Sequence, residues 1–228
     1  MTLFDSLRRD LTFAFRLMRQ TPMVSAVAML SLALGIGANV AIFSLVNALM
    51  LKTLPIHEPD RLAILGQPPS EPGRPTGTSF TNPQWEYLRD HQDFLSGVLA
   101  VGTTRFNTNA GGEARPVAGM FVSGDYFNVL GVTPALGRAF TRDDDRRGGG
   151  PDGPVAVLSY GFWQREYGGD RAILGRGIFL DGHAFTVVGV TPPEFYGIEV
   201  GRTFDVAVPL GTEPIIRGAE STLDRRST

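Results

Sequence analysis

The chain has no cysteine, so neither a disulfide framework nor a thiolate metal site can form. That absence fits an oxidising exterior compartment without proving one. Lysine is almost missing as well: Lys52 stands alone beside 20 arginines, a skew that reads as genome-level bias before any functional preference. From Lys52 onward the chain holds 17 basic against 21 acidic residues. Nucleic-acid binders present basic patches, so a mildly acidic chain is not expected to take nucleic acid as a partner. The three histidines, His57, His91 and His183, are scattered without metal-pair spacing, and surface or turn roles suit them better.

What dominates instead is one uncharged stretch between Arg19 and Lys52. Residues 23–51 give 29 positions with neither charge nor proline, more than the roughly 20 apolar residues a bilayer crossing needs. A cleavable signal peptide is the competing reading, but its apolar core runs only about 7 to 15 residues before a small-residue cleavage site. This run is about twice as long, and Asn47-Ala48-Leu49-Met50-Leu51 offers no A-x-A pattern. An uncleaved anchor is expected over residues 22–52.

Charge sets its direction. Arg8, Arg9, Arg16 and Arg19 precede the run against only Asp5 and Asp10, whereas Lys52 and Arg61 after it are balanced by Glu58 and Asp60. Lys/Arg excess marks the cytoplasmic side, which puts the amino terminus in the cytoplasm and the rest of the chain outside. Leu3, Phe4, Leu7, Leu11, Ala14, Phe15 and Met18 recur at helical spacing. Residues 1–21 are therefore expected to form an amphipathic helix on the membrane lipid, with the four arginines as interface anchors. An ordinary solvated helix packed on a partner is the alternative, and the two are compatible.

Inside the anchor, Ser31, Gly35, Gly37, Asn39, Ala41 and Ser44 interrupt the run of Leu, Val, Ala and Ile. Small residues four apart, as in Ser31/Gly35 and Gly37/Ala41, let a second helix approach closely. Asn39 near mid-span prefers a helix partner to lipid. Ser31, Gly35, Gly37, Asn39 and Ala41 are the expected helix-packing residues.

Beyond the anchor the pattern predicts an α+β domain over residues 53–210. Residues 62–65 read as a strand and 67–77 as loop. Asn82-Pro83 reads as the N-cap and first position of a helix ending near His91. Strands are predicted over 97–101, 105–108, 115–122, 155–158, 178–180, 184–190 and 205–208, the fifth and sixth joined through Asp181-Gly182. Ser123 is expected to cap a short helix over 125–130 closed by Gly131, and Ser159 a helix over 160–167. Residues 141–153, with Asp143-Asp144-Asp145 and Gly148-Gly149-Gly150, read as a mobile surface loop, and 211–228 as a polar tail.

Catalytic and cofactor chemistry is not expected. Three adjacent aspartates lack the alternate spacing of a calcium loop and adjoin Arg142, Arg146 and Arg147, which suits a solvated, self-neutralising loop. No metal or cofactor is predicted. Ser159 follows a strand, but Val157 occupies the first glycine position of a nucleophile elbow. The glycine run at Gly148 lacks the Lys-Ser/Thr of a phosphate-binding loop.

The combination Leu32-Ala33-Leu34-Gly35-Ile36-Gly37-Ala38-Asn39 with Ala41-Ile42-Phe43-Ser44, then Leu54-Pro55 and Asp60-Arg61-Leu62, resembles the first transmembrane helix of MacB/FtsX-type ABC transporter permeases, in particular the duplicated orphan permeases. Val157-Leu158-Ser159-Tyr160-Gly161-Phe162-Trp163, Gly168-Gly169-Asp170, Leu174-Gly175 and Thr186-Val187-Val188-Gly189-Val190 resemble the MacB-like periplasmic core domain. So do residues 124–131 and Pro134-Ala135-Leu136-Gly137-Arg138. The resemblance implies a non-catalytic permease component in the bacterial inner membrane, with a periplasmic domain. Its implied partners are other permease helices or a second permease copy, and a separate ABC ATPase subunit that drives substrate efflux or signalling. Three further helices follow the domain in that family, and no second hydrophobic span follows here, so the chain is expected to be a truncated permease or a fragment. A single-span binding or sensory module is the alternative function, and a membrane-anchored hydrolase has the least support.

Overall fold

A computed structural model describes residues 13, 16, 19–46, 56–68, 76–108, 114–199 and 201–225. Arg8, Arg9 and the apolar positions Leu3 to Met18 of the expected interfacial helix lie outside them, whereas Phe13, Arg16, Arg19 and Gln20 are helical and exposed. The chain divides into two compact units, Met1–Lys52 and Thr53–Thr228.

In the first unit, helix α1 covers Pro22–Val46. Proline suits the first helical turn, where its missing amide is not needed. The 25 residues of α1 give about 37 Å of helix at 1.5 Å per residue. Met23, Leu30, Leu34 and Phe43 are all more than 60% exposed, so the apolar surface of α1 is not spent on a core within its own unit.

Among the described residues the second unit is built on seven strands: β1 Val101–Thr108, β2 Arg115–Val122, β3 Leu136–Gly137, β4 Val155–Leu158, β5 Gly177–Leu180, β6 His183–Val190 and β7 Val206–Pro209. Their order is β3-β6-β4-β7-β2-β1-β5, and β5 pairs back onto β6. The pairings therefore close a ring of six strands, with β3 attached at the rim. β2–β7 and β4–β6 are parallel, and the other pairings are antiparallel.

Strand alternation divides the core in two. Val117 and Phe121 of β2, Ala156 and Leu158 of β4, and Val206 and Val208 of β7 face an inner cluster with Phe106, Phe162, Trp163 and Phe185. Met120, Val122, Val155, Val157 and Ala207 face an outer cluster built around Tyr126, Phe127, Phe140 and Phe195. This is why Val-Ala-Val-Leu and Val-Ala-Val-Pro read as continuous apolar runs: β4 and β7 are buried on both faces. A bulge between Ala156 and Val157 shifts β6 by one residue, so Val187 and Val190 both reach the inner cluster.

Among the described residues, four α-helices complete this unit: α2 Asn82–His91, α3 Tyr126–Val129, α4 Tyr160–Tyr167 and α5 Glu213–Arg217. Helix α4 starts as expected, Ser159 Oγ accepting from the Phe162 amide at 3.2 Å, and ends at Gly168 with φ 59°. The β5–β6 hairpin also forms as expected, with Asp181 and Gly182 at φ 47° and 84°, the left-handed pair that a two-residue hairpin demands.

Several expectations are corrected. Residues 62–65 form no strand; Leu62 and Ile64 are 37% and 83% exposed, and among the described residues the only pairing nearby is a single bridge from Gln67 to Gly77. The N-cap of α2 is Thr81, whose amide donates to Gln84 Oε1 at 2.9 Å, and Pro83 sits one position further in than expected. The strand expected over 97–101 and the one over 105–108 are a single strand, β1, which begins at Val101 and runs through Gly102-Thr103-Thr104 because β2 supplies an unbroken ladder. Ser123 does not cap α3: its hydroxyl accepts from the Ala100 amide at 3.0 Å, and Asp125 holds the N-cap position.

β3 was not foreseen. Gly137, at φ 74°, and Gly189 let β3 meet β6, since a Cβ on either would lie 2.1 Å from Val188 O or 2.2 Å from Arg138 O. Nor do residues 211–225 behave as a polar tail. They continue through α5 and a 3-10 turn at Gly218–Glu220, with Ile216 packed on the inner cluster and Leu223 buried. Their polar groups are used internally, the buried Glu213 accepting from Ser221 Oγ and from the Thr222 amide at 2.9 Å.

Candidate functional site

Helix α1 carries the expected packing residues on two sides. At about 100° per residue, Ser31, Gly35 and Asn39 fall in one stripe, whereas Gly37 and Ala41 form a second stripe on nearly the opposite side. The five residues are all exposed, and a Cβ on Gly35 or Gly37 would meet nothing within 4 Å. The five expected packing residues thus divide between two faces of α1. Four-residue spacing relates positions within each seam but not between residues two apart.

The expected mobile loop at 141–153 is instead a packed turn. The amides of Asp144 and Asp145 donate to Thr141 O and Arg142 O at 3.1 and 3.2 Å, and the Gly148 amide donates to Gly211 O at 2.9 Å. Its three aspartates do not converge on one point. Asp143 is exposed and pairs with Arg146 at 2.5 Å. Asp144 is 3% exposed and accepts a forked pair from Arg138 at 2.7 and 3.0 Å, plus the Thr141 amide at 2.7 Å. Asp145 accepts from the Gly124 amide at 2.9 Å and the Gly211 amide at 2.7 Å, tying the end of β2 to the start of α5.

The pKa values of Asp144 and Asp145 are shifted in opposite directions. Burial opposes ionisation of Asp144, but the hydrogen bonds from Arg138 and Thr141 outweigh it and hold its pKa below the ordinary value. Burial pushes the Asp145 pKa up, and its two amide bonds pull it back only in part. Neither role was legible in the sequence, where all three aspartates look alike. The one available signal was Gly124 and Gly211, glycines bordering apolar runs far apart in the chain.

The candidate catalytic residues stay apart. Ser159 is occupied as a helix cap, and His57 lies in a bend, His91 at the end of α2 and His183 at the start of β6. His91 is stacked on Tyr87 with ring centroids 4.1 Å apart. Among the described residues no three His, Asp or Glu side chains are placed to hold a metal ion.

One further feature escaped the sequence. The outer face of β1 and β2, together with residues 196–199, 202 and 203, encloses an open groove of about 480 Å³ lined by Thr103, Arg105, Met120, Tyr196, Glu199 and Arg202 among others. Glu199 and Arg202 pair at 2.9 Å. Among the described residues Arg105 has no ion pair.

An apolar helix of membrane-spanning length, joined in sequence to an α+β domain on a ring of strands, defines the class of protein. The family model of the MacB-like periplasmic core domain matches residues 25–227, and the chain belongs to that family. No curated protein matches it. Similar solved structures include the periplasmic region of MacB from Actinobacillus actinomycetemcomitans, at 16% identity and a TM-score of 0.49 over 63% of this chain. Another is the extracellular domain of the noncanonic ABC-type transporter YknZ from Gram-positive bacteria, at 17% identity and a TM-score of 0.49, covering 69% of this chain and 76% of that one. The chain spans 61% of the length of the MacB periplasmic region.

Proposed function

We propose that the chain is a non-catalytic permease component of an ABC-type transporter of the MacB/FtsX kind. A separate ATPase subunit supplies the energy, and the α+β domain relays conformational change outside the membrane in efflux or signalling. The observation that carries this reading is the family match, which extends from within α1 to residue 227. Helix and domain thus belong to one family unit. The two seams on α1 support a helix with neighbours on both sides, other permease helices or a second copy, and Arg8, Arg9, Arg16 and Arg19 anchor the preceding segment on the cytoplasmic leaflet.

Two tests address this reading. Because the chain has no cysteine, single substitutions report topology cleanly. With a membrane-impermeant maleimide applied to cells of permeabilised outer layer, Asp152→Cys is expected to label at once and Ser6→Cys only after the inner membrane is broken. The reverse order overturns the orientation. For assembly, Gly35→Leu and Gly37→Leu each block one seam, and each is expected to lower co-purification of the ABC ATPase and partner helices roughly tenfold, the equivalent of one or two kcal/mol of helix packing. Undiminished assembly and transport in the double variant would leave the single-span binding or sensory module as the better reading.

A further inference from the structure

β1 has one satisfied edge and one open edge. Along β2 it pairs at all eight positions, but it meets β5 at Thr108 and Leu180 alone. The antiparallel sense of that contact carries β5 past the end of β1, so the Asp181-Gly182 turn is the last element against it. In an antiparallel ladder the backbone groups of successive residues point alternately to the two sides. Ala100 O accepts from the Ser123 amide, on the β2 side. Asn107 is bonded on the opposite side, its amide donating to Asp181 Oδ1 at 2.9 Å and its carbonyl accepting from the Asp181 amide at 2.8 Å.

The same alternation turns the amides and carbonyls of Val101, Thr103 and Arg105 to the Asn107 side. Among the described residues these groups have no hydrogen-bond partner. Gly102, Thr103 and Arg105 are exposed. An unpaired row of this kind is a template for another extended chain.

The side chains of Val101, Thr103 and Arg105 line the groove beside that edge. A strand added along β1 would place alternate side chains on the same face, opposite these three residues. Glu199 and Arg202, three residues apart in the groove lining, neutralise each other at 2.9 Å, which leaves Arg105 as the uncompensated charge among the described lining residues. The edge fixes the backbone shape of the ligand, and Arg105 fixes its sign.

We propose that the open edge of β1, over residues 101–105, binds an extended acidic peptide segment of a partner protein by strand addition. Main-chain hydrogen bonds to Thr103 and Arg105 supply the attachment, and a carboxylate opposite Arg105 supplies the selectivity. The inference stands apart from the transporter reading, since a strand would dock here whether or not an ATPase is bound.

The test uses the full chain in detergent with two labelled, end-blocked hexapeptides, one alternating Thr and Glu, the other alternating Thr and Lys. Binding is followed by fluorescence anisotropy, and amide exchange of the chain is followed with and without peptide. The expected result is binding of the Glu peptide, slowed exchange at Thr103 and Arg105, and at least about tenfold weaker binding of the Lys peptide. Arg105→Glu should invert that preference. Thr103→Pro removes one edge amide at a position where an edge strand tolerates proline, and should abolish binding at an unchanged melting temperature.

If Thr103→Pro proves unstable, the exchange measurement on the unaltered chain decides. Absence of Glu-peptide binding, unchanged exchange at Thr103 and Arg105 with peptide bound, or full binding by a folded Thr103→Pro variant each overturns the proposal. So does concentration-dependent dimerisation without peptide that Thr103→Pro removes, which would assign the edge to a second copy of the chain.

Discussion

Replacing Asp145 with alanine is expected to destabilise the α+β domain by about 2 to 6 kcal/mol, because two buried backbone amides each lose their acceptor at about 1 to 3 kcal/mol apiece. The amides are those of Gly124 and Gly211, and no side chain can be added at either glycine to replace the lost oxygen. A Cβ there would lie 2.5 Å from Thr141 O or 2.4 Å from Asp145 O. Asp145→Asn is also unfavourable, since its NH2 would face one of the two donors. Asp143→Ala should stay within about 0.5 kcal/mol, as exposed substitutions do. Denaturant unfolding of the full chain in detergent, followed by tryptophan fluorescence, measures all three. Equal losses at Asp143 and Asp145 would mean that the tie between β2 and α5 carries no stability.

The pH dependence separates Asp145 from Asp144 further. A raised folded-state pKa means that the folded domain binds the Asp145 proton more tightly than the unfolded chain does. Its contribution is therefore full below the unfolded value of about 3.9 and is lost as pH rises through the folded value. For Asp144, whose folded pKa is lowered, the contribution is present above about 3.9 and is lost as pH falls through its folded value. In Asp145→Asn the gain in stability on the acid side of the Asp145 folded pKa should disappear. The loss at lower pH that belongs to Asp144 should remain.

Phe127→Ala carries the other large expected effect, a loss of about 3 to 5 kcal/mol. That is a large share of the roughly 5 to 15 kcal/mol that holds a typical domain together. Phe127 is fully buried in the outer cluster, with ring centroids 5.2 Å from Tyr126, 5.5 Å from Phe140 and 6.0 Å from Phe195. Truncation leaves a cavity among rings held by separate elements, which cannot all close in. Phe94→Ala, at 76% exposure, should leave the melting temperature nearly unchanged. Similar melting of the two variants would show that the outer cluster does not hold the domain.

Local signals in the chain were legible where one short segment decides its own geometry. Asp181-Gly182 set a hairpin because the turn needs two residues in the left-handed region, and Ser159 set a helix start because its oxygen reaches an amide three residues on. The membrane-length helix was legible for the same reason, since length and lack of charge are properties of consecutive residues. Residues 62–65 misled because an apolar run does not by itself provide a partner strand. Residues 211–225 misled because their polarity is satisfied internally, by Glu213 against Thr222.

By itself the sequence determined the apolar helix, its expected direction, the α+β alternation and the residues that carry the family resemblance. Only the tertiary structure decided that the strands close into a ring, that β1 keeps an open edge beside an arginine with no ion pair among the described residues, and that two of three consecutive aspartates are held by different partners. The physical reason is the range of the interactions. Helix propensity, capping and hydropathy act over a few neighbouring residues, whereas Asp145 meets Gly124 and Gly211 across 21 and 66 residues of chain. Partners that far apart come together only when the whole domain folds.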